Sequence, residues 1–114
     1  MNVKDKILIV EDESSITRFI RAILLSNGYD VITAASGAEA RSMISSHCPD
    51  LVLLDLGLPD MDGMQIIEDV RQWTQLPIIV VSARNYERDK VEALDKGADD
   101  FITKPFSAAE LLAR

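Results

Sequence analysis

Glu11, Asp12, Asp55, Ser82 and Lys104 are the residues of this 114-residue chain whose types could do chemistry together. Each closes or directly follows a short apolar run: Ile7 to Val10 before the acid pair, Leu51 to Leu54 before Asp55, Ile78 to Val81 before Ser82, and Phe101 to Thr103 before Lys104. Singly, each has a plain reading. Glu11 and Asp12 could cap a helix, Asp55 could be a loop aspartate, and Lys104 could be a solvated lysine. The conjunction of acid pair, Asp, Ser and Lys at four of the run ends, in that order, is what points to a site. Two carboxylates at ~5 Å repel by roughly 3 kcal/mol at an effective dielectric near 20. A hard divalent cation relieves this, and carboxylate and carbonyl oxygens suit Mg²⁺. A carboxylate nucleophile, a cation, a lysine for developing negative charge and a hydroxyl suit phosphoryl transfer to Asp55. They do not suit hydride or acyl transfer.

Positioning these groups takes a fold that gathers strand ends. Apolar runs alternate with helical patterns along the whole chain. Strands are expected at Lys6–Val10, Asp30–Ala34, Asp50–Leu54, Pro77–Val81 and Asp100–Thr103. A helix is expected from Ser14 to Asn27, with Ile16, Phe19, Ile20, Ile23 and Leu24 on one face and Gly28 as its stop. Ser36 and Glu39 form a capping box opening a second helix to about Ser46. After a loop from Asp55 to Asp62, a third helix carries Ile66, Ile67, Val70 and Trp73 on one side. A fourth runs from about Tyr86 to Lys96, with Val91, Ala93 and Leu94 as a modest stripe and Gly97 as its stop. Ser107 and Glu110 open a fifth, which ends uncapped at Arg114 and reads as cut short.

The first, third and fourth strands are apolar throughout, which marks a parallel sheet covered on both faces. The second is less apolar and belongs at an edge. Right-handed β-α units then give an α/β, doubly wound five-stranded parallel sheet in the order 2-1-3-4-5. In such sheets ligands bind at the carboxyl ends of the strands, where the acid pair, Asp55, Ser82 and Lys104 all fall.

The length fits one domain. The net charge of −7 makes the chain itself a poor ligand for DNA, so any DNA contact falls to another domain. One cysteine, Cys48, excludes an internal disulfide and a thiolate cage. His47 beside it does not make a metal site. Met61 and Met64 read as gap fillers. With no signal peptide and no apolar run of membrane length, the expected location is cytoplasmic, with no membrane partner. A flavodoxin-like cofactor protein shares the fold class, but the loop Glu11-Asp12-Glu13 would repel a phosphate that no cation accompanies.

Four stretches carry a family resemblance: Ile9-Val10-Glu11-Asp12-Glu13; Leu54-Asp55-Leu56-Gly57-Leu58-Pro59-Asp60-Met61-Asp62-Gly63; Val81-Ser82-Ala83-Arg84; and Gly97 through Phe106. Over its whole length, 1–114, the chain resembles the CheY-like receiver domains of two-component response regulators. The resemblance implies that Asp55 accepts a phosphoryl group from a sensor histidine kinase. It implies that Asp12, Asp55 and the Gly57 carbonyl ligate Mg²⁺, with Glu11 helping through water. It also implies that Ser82 and Phe101 are a switch pair, with Phe101 turning from outward to inward on phosphorylation, and that Lys104 precedes a cis Pro105. The fourth-helix and fifth-strand text is similar to the OmpR/PhoB subfamily. There Lys90, Asp99, Asp100, Glu110 and Arg114 would pair across a homodimer formed on phosphorylation, and a C-terminal domain would bind DNA. The stretches Asp55–Asp60, Arg71-Gln72-Trp73 and Ser82-Ala83-Arg84 are similar to the branch that regulates a potassium-transport operon. A free-standing receiver acting in a phosphorelay, or on a target protein, is the alternative.

Overall fold

The computed structural model describes residues 5–82 and 87–104, leaving aside the side chains of residues 87, 88 and 103. Among the described residues nine elements run in strict alternation: β1 (Lys6–Val10), α1 (Ser14–Ser26), β2 (Asp30–Ala34), α2 (Gly37–His47), β3 (Leu51–Leu54), α3 (Gly63–Arg71), β4 (Ile78–Ser82), α4 (Glu87–Asp95) and β5 (Asp100–Thr103). The strands form one parallel sheet in the order β2-β1-β3-β4-β5, as expected from the sequence. The expected fifth helix, Pro105, Glu110 and Arg114 lie outside the described residues.

Alternation along each strand divides the core into two layers. Leu8, Val10, Val52, Leu54, Ile78 and Val80 pack with α2 and α3 through Ala40, Ile44, Ile66, Ile67 and Val70. Ile7, Ile9, Leu53, Ile79, Val81 and Ile102 face the other way and pack with Ile20 and Leu24 of α1. This two-sided burial is why the central strands are apolar at every position.

Four residues expected on apolar stripes lie outside it. Phe19 is 50% exposed. At about 100° per residue it sits roughly 120° around α1 from the line midway between Ile20 and Leu24, the two buried positions. Trp73 is 58% exposed. The third helix stops at Arg71, and the amides of Trp73 and Thr74 both turn back to the Val70 carbonyl, so the indole no longer follows the helical stripe. On α4, Ala93 is buried while Val91 and Leu94 are exposed, so this helix docks through a narrow contact. The fourth strand begins one residue later than expected and takes in Ser82.

Gly28 and Gly97 end their helices at φ of 85° and 118°. Cys48 takes the same role after α2 at φ 46°, a left-handed conformation that costs a residue with a Cβ about 1 kcal/mol. Its thiol is exposed and packs little. Cys48→Gly is therefore expected to raise the urea midpoint, after the entropy of the freer unfolded chain takes back part of the gain. An unchanged or lower midpoint would show that the turn carries no strain.

Candidate functional site

Parallel pairing sets the carboxyl ends of β1 and β3 side by side. Val10 pairs with Leu54, and the Asp55 amide donates to the Val10 carbonyl at 2.9 Å. Glu11 and Asp55, each one residue further on, are therefore neighbours. On the far side Ser82 pairs with Thr103, and the Lys104 amide donates to the Ser82 carbonyl at 2.8 Å. Residues spread from 11 to 104 thus meet at one sheet edge.

Glu11, Asp55 and Ser82 are the three buried polar or charged residues among those described. The Lys104 ammonium donates to Glu11 Oε1 at 3.1 Å and Oε2 at 3.3 Å, and stands 3.6 Å from Asp55 Oδ2. Carboxylate oxygens of Glu11, Asp12 and Asp55 all lie within 4.8 Å of one another, with Asp12 on the solvent side. Asp55 Oδ1 also accepts the Gly57 amide at 3.3 Å. Burial, then the hydrogen bond and charge of Asp55, push Glu11 from the usual 4.5 to about 8, against the pull of Lys104. The cluster is thus short of positive charge even with the lysine in place. An oxygen donor set so arranged fits a hard divalent cation.

Neither Glu11 nor Asp12 caps the first helix, whose N-cap is Glu13 with no side-chain bond. Phe101 is 8% exposed and lies in the layer with Ala93 and Ala98, the inward one of the two positions expected for it. Without a hydroxyl the ring gains nothing from water, and its apolar surface favours this burial. Of the expected dimer residues, Lys90 lies on α4, Asp100 opens β5 and Asp99 directly precedes it. Asp99 already has partners within the chain. Its Oδ2 accepts from Arg71 Nη2 at 3.0 Å and from the Ile78 amide at 2.8 Å, while Arg71 Nε holds the Gly97 carbonyl at 2.9 Å.

Sequence reasoning missed Arg71 as a brace between the end of α3 and the turn before β5. It also missed Asp60, whose carboxylate reaches the start of α2. Neither contact has a local signal, because the partners bridged in this way lie 22 to 28 residues away.

The family model described as "Response regulator receiver domain" matches residues 7–114. The transcriptional regulatory protein KdpE of Mycobacterium tuberculosis (strain ATCC 25618 / H37Rv) is 51% identical over 108 residues, 95% of this chain and 48% of that protein. The KDP operon transcriptional regulatory protein KdpE of Escherichia coli (strain K12) is 50% identical, with the same coverage of each. The chain spans about half the length of the curated relatives it matches. Among solved structures, the BeF3-activated N-terminal receiver domain of Klebsiella pneumoniae RstA superposes with a TM-score of 0.93 at 37% identity, covering 96% of this chain and 94% of that one. The family match over residues 7–114, half-identity to KdpE regulators across 95% of the chain and the superposition of the sheet agree: the chain belongs to the response regulator receiver domain family.

Proposed function

We propose that this domain accepts a phosphoryl group on Asp55 from a sensor histidine kinase, with Mg²⁺ as cofactor, and that acceptance strengthens pairing with a second copy. The observation that carries the reading is the convergence of Glu11, Asp12, Asp55 and Lys104. Asp55 supplies the attacking oxygen. Lys104, already within ion-pair reach of Asp55, balances the incoming negative charge, and the buried Ser82 hydroxyl donates to a phosphoryl oxygen. Glu11, Asp12, Asp55 and the Gly57 carbonyl would hold Mg²⁺, which when bound offsets the charge of the cluster and of the transferring group. We read the chain as the receiver half of a longer cytoplasmic regulator, in line with its share of the KdpE proteins' length. In that reading a C-terminal domain binds DNA and the regulated genes serve potassium transport.

Lys90, Asp99, Asp100, Glu110 and Arg114 would pair across the two-fold axis of the dimer. Exposed pairs contribute ~0.2–1 kcal/mol each and are screened by salt, so the gain in association is modest. Incubation with acetyl phosphate and Mg²⁺ should add one phosphoryl group by intact mass, and chelation should prevent it. Sedimentation should show tighter self-association with beryllofluoride than without. Asp100→Arg should keep phosphoryl uptake and lose the added association. Association that ignores beryllofluoride, or survives Asp100→Arg, would favour the free-standing receiver.

A further inference from the structure

Asp60 lies in the loop between β3 and α3 and is exposed, yet it is bound to another element. Its Oδ1 accepts the Gly37 amide at 2.7 Å and its Oδ2 the Ala38 amide at 3.0 Å. Ser36 satisfies the next two amides of α2: its Oγ takes Glu39 N–H and its carbonyl takes Ala40 N–H. Three of the free amides in the first turn of α2 thus have side-chain acceptors, two of them supplied by a residue from the acceptor loop. The Gly37 and Ala38 amides, with Arg41 adding, hold the Asp60 carboxyl below its ordinary range. Beside it, Met61 lies against Gly37 so closely that a Cβ there would sit 2.5 Å from its Cγ and Sδ.

The same loop is closed on itself. Gly57 bridges to Asp62, the Gly63 amide donates to the Leu56 carbonyl at 2.8 Å, and Asp62 caps the Met64 amide at 3.0 Å. The segment is thus tied internally from residue 56 to 63, and to α2 at residues 60 and 61. Gly57 sits within it, exposed and without a side chain to anchor it.

We propose that Asp60 is a positioning residue for the acceptor site: its two-oxygen hold on the α2 amides keeps the Gly57 carbonyl in place to serve as a cation ligand. The inference rests on the reading of the site as a Mg²⁺-dependent acceptor. Asp60 itself touches neither cation nor substrate. It acts as partners one step removed from a metal do, by fixing what the ligands are attached to.

Titrating Mg²⁺ into the ¹⁵N-labelled chain, followed by amide NMR, tests this. In the wild type the Gly57 amide should shift, and the Gly37 and Ala38 amides should shift with it. Asp60→Ala should weaken Mg²⁺ about tenfold and uncouple the α2 amides from the titration. Asp60→Asn keeps the shape and one carbonyl oxygen, so it should lose less; it carries the test if the alanine variant fails to fold. Ser36→Ala removes another cap from the same helix without touching the loop. It should lower the melting temperature and leave Mg²⁺ affinity unchanged. Wild-type affinity in both Asp60 variants, or an equal loss in Ser36→Ala, would overturn the positioning role alone. A wild type that ignores Mg²⁺ would overturn the acceptor reading, and this inference with it.

Discussion

Asp55→Asn is expected to take up no phosphoryl group from acetyl phosphate in Mg²⁺, while remaining folded. The amide lacks the anionic oxygen that attacks phosphorus, and no other buried carboxylate can stand in without cost. Glu11 is held by both of its oxygens to Lys104, and Asp12 sits on the solvent side of the cluster. The fold should not suffer, because the variant keeps a carbonyl oxygen to accept the Gly57 amide. It also removes the charge and hydrogen bond that help push Glu11 up to about 8. One carboxylate fewer means less repulsion for Mg²⁺ to offset. The variant without metal should therefore melt at or above the wild-type temperature, and Mg²⁺ should stabilise it less. Intact mass and a melting curve on the same sample read both outcomes. Uptake by the variant at the wild-type rate would overturn Asp55 as the acceptor.

The second large effect is expected from Gly63→Ala at the start of α3. Helix propensity alone predicts a gain of roughly 0.5–1 kcal/mol for this exchange. The packing predicts the reverse. A Cβ at Gly63 would stand 2.7 Å from the Asp55 carbonyl oxygen and 2.8 Å from Leu56 Cα, both backbone atoms at the end of a central strand. Neither can rotate aside, so α3 or the acceptor backbone must move. Overpacking of this kind costs about 1–3 kcal/mol. The urea midpoint should fall, and phosphoryl uptake should slow because the clash falls on the backbone that carries Asp55. Gly37→Ala is the useful contrast. There the obstruction is the flexible end of Met61, which can swing away, so its loss should be smaller. A Gly63→Ala variant at least as stable as the wild type would show that the close approach is not limiting.

What the sequence made legible follows from what is periodic or local. Strands apolar at every position declared their two-sided burial, and the rule that ligands gather at strand carboxyl ends located Glu11, Asp55, Ser82 and Lys104 before any distance was known. Periodicity marks a stripe but not its centre, which is why Phe19 was placed inside and lies half outside. It also does not mark where a helix stops, and Trp73 falls just past that point. Phe101 lies inward at 8% exposure, the position its apolar ring favours, but a single arrangement does not reveal a switch between two. Asp60 and Arg71 form contacts that no spacing rule encodes, since each joins the ends of elements that meet only once the sheet has formed.

The pairing of Lys104 with Glu11 spans 93 positions of sequence. Contacts of such separation form late, because the loop they close must first lose its freedom. A chain in which β1, β2 and β3 have associated already holds the acid cluster, whereas its lysine arrives only when β5 seats against β4 at the sheet's edge. Until then the carboxylates repel one another with no fixed ammonium among them. On the proposed reading, a chain whose β5 has not seated would be a poor phosphoryl acceptor, and acceptance would double as a certificate that the sheet is complete.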